Sequence, residues 1–61
     1  MSKTSKELRE MMTRNHLMQY EVAAKMGVSE YTLIRWLRGE PSEEHSARIM
    51  QAIEELAKEV R

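Results

Sequence analysis

The chain has 61 residues, 41% hydrophobic and 33% charged, and its ten basic and ten acidic side chains give a formal net charge of zero. A chain this short forms one domain and buries only about 60% of its unfolded surface, so its stability is small. With no cysteine it makes no disulfide and no thiolate metal site, which fits a cytoplasmic location.

Residues 1 to 4 are polar and expected to fray. Thr4 and Glu7 have capping-box spacing, which predicts a first helix from Ser5 to about Arg14 with Leu8, Met11 and Met12 as its apolar stripe. Asn15 is the expected left-handed C-cap, and Leu17 packs inward from the connection. A second helix runs from about Gln19 to Met26, with Val22, Ala23 and Met26 on one face, and Gly27 stops it. Val28 is a buried loop residue. Ser29 is the natural N-cap of a third helix over Glu30 to Arg38, closed by Gly39.

Pro41 and Ser42 open the last element, predicted over about 42 to 60. Glu43 and Glu44 in its first turn suit the helix dipole. Ile49, Met50, Ile53, Leu56, Ala57 and Val60 then form one apolar face. Glu44–Arg48 and Glu54–Lys58 are expected i,i+4 pairs on its other side. Good helix formers dominate, and β-branched residues never alternate as they would in a strand. The expected fold is therefore all-α, a compact bundle of four or five short helices in one domain over 1 to 61. No apolar run approaches the roughly 18 residues of a membrane span, and no signal-peptide pattern opens the chain.

The zero net charge conceals a segregation. Residues 1 to 39 carry seven basic against four acidic side chains, a net of +3, and residues 40 to 61 carry three against six, a net of −3. A polyanion would meet the first part. Within it, the third helix separates into two faces at about 100° per residue. Leu33, Trp36 and Leu37 point to the core, while Tyr31, Ile34, Arg35 and Arg38 lie almost opposite. Tyr and Ile beside two arginines are unusual on a solvated helix back. They match what major-groove readout uses: bidentate arginine on guanine, an apolar group on a thymine methyl, and Glu30 accepting from cytosine.

The second and third helices, joined by a short turn on Gly27, have the layout of a helix-turn-helix. Small Ala23 permits a close helix crossing, Gly27 supplies positive φ, and Val28, Leu33 and Trp36 close the wedge. The stretch Gln19-Tyr-Glu-Val-Ala-Ala-Lys-Met-Gly-Val-Ser-Glu-Tyr-Thr-Leu-Ile-Arg-Trp-Leu-Arg-Gly39 resembles the helix-turn-helix of the λ repressor/Cro-like (Xre-type) family. That resemblance implies a double-stranded DNA-binding transcriptional regulator of the kind phages and mobile elements carry. It implies base reading by Glu30, Tyr31 and Arg35, and phosphate contacts from Gln19, Ser29 and His45; the outer-face pattern adds Ile34 to the base-reading set and Arg38 to the backbone set. The chain departs from the family at Met18, where a Ser or Thr cap is usual, and at Met12 and Leu37, where many relatives pair a buried arginine with a glutamate. No strand-like segment for dimerisation is expected within residues 40 to 61, although a homodimer is the expected route to useful affinity.

Other chemistry finds little support. There is no aspartate, no cysteine and no glycine-rich phosphate loop, and His16 and His45 lack a nucleophile or base partner. No catalytic residue, metal, cofactor or small-molecule ligand is expected. Two further readings are an excisionase or MerR-like architectural factor, which needs a β-wing, and a helical protein-interaction module using Tyr31, Ile34 and the methionines.

Overall fold

The computed structural model describes residues 4–59. It contains four helices: α1 Ser5–Arg14, α2 Gln19–Met26, α3 Glu30–Arg38 and α4 Glu43–Glu59. The expected all-α fold is observed, and no helix among the described residues is long and apolar enough to cross a membrane. Val60, expected on the last apolar face, lies outside the described residues.

The helix starts follow from local side-chain chemistry. Thr4 Oγ1 accepts from the Glu7 amide at 3.2 Å, while Glu7 Oε1 accepts from the Thr4 amide at 2.9 Å. Two orphan donors are thus satisfied reciprocally. Met18 has no side-chain acceptor, and Glu21 compensates by accepting from the Met18 amide at 2.7 Å. Ser29 Oγ accepts from the Thr32 amide at 3.1 Å, and Ser42 Oγ from the His45 amide at 3.1 Å.

The first two helices end on the same device. Gly27, at φ +80°, stops α2, with its amide donating to Ala24 O and that of Val28 to Ala23 O. This is a Schellman motif, which satisfies terminal carbonyls and turns the next residue inward. At the end of α1 the left-handed residue is His16, at φ 58°, and not Asn15, which sits at φ −97°. The reason is register. The Leu17 amide donates to Met12 O and the His16 amide to Thr13 O, so the residue before Leu17 must turn left-handed for Leu17 to enter the core. The Asn15 carboxamide instead donates to Met11 O at 2.9 Å.

The core is Leu8, Met12, Leu17, Val22, Ala23, Leu33, Leu37, Ile49, Ala52 and Ile53, with Met11, Met26, Val28, Trp36, Met50 and Leu56 half-buried around it. The methionines of the apolar stripes thus fill core space, as a flexible thioether does well. Burying Met12 and Leu37 as two apolar side chains avoids the desolvation that an arginine–glutamate pair would incur there. The buried face of α4 is rotated from the expected one. It runs through Ser46, Ile49, Ala52 and Ile53, leaving Met50, Leu56 and Ala57 at its margins. Small side chains at 46 and 52 let neighbouring helices approach α4, which hydropathy alone does not reveal.

The expected Glu44–Arg48 and Glu54–Lys58 pairs do not form. The ion pairs among the described residues join Lys25 of α2 to Glu55, at 3.9 Å, and to Glu59 of α4. Two contacts tie α1 to the end of α3. Arg9 donates to Leu37 O at 3.1 Å, and Glu40 Oε1 accepts from the Ser5 amide at 3.2 Å. A cation at the C-terminus of α3 and a carboxylate at the N-terminus of α1 both suit the helix dipoles.

Candidate nucleic-acid interface

The candidate surface is built on α3, nine residues and about 13 Å long. With its side chains a helix is about 10–12 Å across, a width that a major groove about 12 Å wide admits. Leu33 and Leu37 are completely buried, so the rotation of α3 about its own axis is set by the core. The opposite side is thereby committed to solvent. Tyr31 is 68% exposed, the highest among the exposed large hydrophobic side chains, and Glu30, Arg35 and Arg38 are exposed too. Ile34 is half-buried but does not pack against the core cluster, so it belongs to this outer face.

The surface is also held from its ends. Ser29 caps α3, and its hydroxyl additionally donates to Thr32 Oγ1 at 3.0 Å, so the side chain expected on a phosphate already serves the helix. At the far end the Arg9–Leu37 hydrogen bond anchors α3 to α1. Gln19 stands half-buried as the first residue of α2. Gly27 keeps the left-handed turn between α2 and α3, and Ala23 is buried beneath it.

Trp36 faces the core as expected, half-buried and packed against the core cluster. Its ring stacks on His45 with centroids 3.8 Å apart and planes 16° from parallel, and Arg48 lies over it at 5.7 Å. The indole packs against the core cluster and bridges α3 to α4. His45, expected near a phosphate, is half-buried in this stack and joins the recognition-helix candidate to α4. Sequence reading missed this pairing and also the role of Arg9. The i+3 spacing of His45 and Arg48 was the available signal, since it places both on one side of a helix.

Lys25 belongs to the basic part of the chain but is engaged by two α4 glutamates, and its hydrogen bond to Glu59 raises its pKa above the ordinary 10.5, with both carboxylates adding to the rise. The exposed arginines of α3 have no carboxylate partner among the described residues. Compared with protein-family models, curated proteins and solved structures, the chain matches none.

Proposed function

We propose that this protein is a sequence-specific double-stranded DNA-binding regulator that inserts α3 into the major groove. The observation that carries this reading is the outer face of α3: Tyr31, Ile34, Arg35 and Arg38 face away from a core that fully buries Leu33 and Leu37. The λ repressor-like arrangement of α2, a glycine turn and α3 supports the same reading. Glu30, Tyr31, Ile34 and Arg35 form the base-facing set, while Gln19, the amides at the start of α3 near Ser29, and Arg38 set register on phosphates. His45 contributes by fixing Trp36 behind the reading helix. A single module of zero net charge binds weakly, so the proposal includes a homodimer on a two-part site. A monomer in sedimentation, both free and on DNA, overturns that part.

The test is enrichment of randomised duplexes on the immobilised protein. The expected outcome is a short motif with one base pair whose preference disappears in Arg35→Ala, a loss of about 1–3 kcal/mol of discrimination. Absence of any enriched motif contradicts the reading. A second reading, a protein-docking module, is favoured by one observation: Met18 and Tyr20 at the start of α2 are each 57% exposed.

A further inference from the structure

Of the two arginines on the outer face of α3, only Arg35 has a ring contact among the described residues. The Arg35 guanidinium carbon lies over the Tyr31 ring, 6.0 Å from its centroid. Arg38 has no ring contact or ion pair among the described residues. Tyr31 and Arg35 are four residues apart and so occupy adjacent turns of one helix face. Tyr31 has no role in the core, being 68% exposed, and its ring makes no other aromatic contact among the described residues. At this distance, the outer reach of a cation–π contact, the ring face attracts the guanidinium, whose in-plane N–H donors have no partner among the described residues.

We propose that Tyr31 is a positioning residue for Arg35, holding its guanidinium ready for bidentate donation to a guanine, so that this tyrosine sets specificity at a base pair through Arg35. This rests on the DNA-reading function proposed above. An unrestrained arginine must be ordered as it binds, and that cost falls on every sequence. A restrained one presents its fork in a fixed direction, which favours the base whose two acceptors match it. Arg38, without such a ring, keeps the diffuse reach suited to phosphate.

The experiment compares the wild type with Tyr31→Phe, Tyr31→Leu, Arg35→Ala and the Tyr31→Leu/Arg35→Ala double variant. Each is measured on the enriched duplex and on the duplex with the Arg35-dependent base pair replaced. Tyr31→Leu is expected to reduce discrimination at that pair by about two- to fivefold. Tyr31→Phe retains it, whatever it does to overall affinity. In the Arg35→Ala background Tyr31→Leu changes discrimination no further. An equal loss in that background, or loss of discrimination in Tyr31→Phe, overturns the proposal, because the tyrosine then reads that base pair independently of Arg35. A second arm uses the free protein. Ring-current displacement of the Arg35 Hδ resonances is expected in the wild type and in Tyr31→Phe, and its loss in Tyr31→Leu. Unshifted Arg35 resonances in the wild type overturn the positioning contact itself. A wild type that enriches no motif while keeping the ring-current signature instead overturns the DNA-reading function. Both side chains are exposed, so thermal melts of the variants are expected to match the wild type.

Discussion

Gly27 offers a stringent test of how the turn between α2 and α3 is built. It sits at φ +80°, and a Cβ added there meets nothing within 4 Å. Substitution by alanine therefore carries no steric clash, only the backbone penalty of a left-handed residue with a side chain, roughly 1–2 kcal/mol. Alanine also stiffens the unfolded chain, which returns about 0.4–1 kcal/mol. The net expectation for Gly27→Ala is a destabilisation of about 1 kcal/mol, or a fall of about 4–8 °C in Tm for a domain this small. Gly39 is the internal control. A Cβ there also meets nothing within 4 Å, but its φ is −113°, which any residue adopts. Only the unfolded-state term remains, so Gly39→Ala stabilises by about 0.4–1 kcal/mol. His16, at φ 58°, supplies the reverse experiment, and His16→Gly stabilises by about 0.5–1 kcal/mol as left-handed strain is relieved. Urea and thermal unfolding followed by far-UV circular dichroism measure all three. If Gly27→Ala and Gly39→Ala shift stability in the same direction, the account of the turn is wrong.

Other perturbations probe the packing and electrostatics. Leu33→Ala removes a completely buried side chain at the centre of the core and costs about 2–5 kcal/mol, enough to unfold much of the population by circular dichroism. The Lys25 pKa is raised by its hydrogen bond to Glu59, so its stabilising contribution is fully present below pH 10.5 and is lost as pH rises through the higher folded value. The difference in urea midpoint between wild type and Lys25→Met accordingly shrinks above pH 10.5, and added salt shrinks it at neutral pH. His45→Ala removes the ring stacked on Trp36 and costs about 0.5–1.5 kcal/mol. Because Trp36 is the chain's one tryptophan, its emission is expected to shift to the red in that variant.

Much of the fold is legible in the residues because its boundaries are made by local chemistry. Thr4, Ser29, Ser42 and Gly27 each act within a few residues of themselves, and each does what its type and spacing imply. What escaped reading is set by tertiary register. The left-handed position moved from Asn15 to His16 because Leu17 has to reach the core, and no propensity of either residue expresses that. The buried face of α4 includes Ser46 and Ala52, whose small size matters only against neighbouring helices. At the candidate interface, the outward direction of Tyr31, Ile34, Arg35 and Arg38 follows from helical period alone. Of the contacts that stiffen the surface, Arg9 on Leu37 joins segments 28 residues apart and has no local signature, while His45 on Trp36 is hinted at only by the i+3 spacing of His45 and Arg48.

The central claim is that the outer face of α3 meets DNA. Its most direct test is a salt titration of binding to mixed-sequence duplex DNA, made with the wild type and with Arg35→Ala. The account predicts affinity falling linearly on logarithmic axes, with a slope of about −0.9 per phosphate contacted, and weaker binding by Arg35→Ala throughout. No binding at low salt, or binding indifferent to Arg35→Ala, would contradict it.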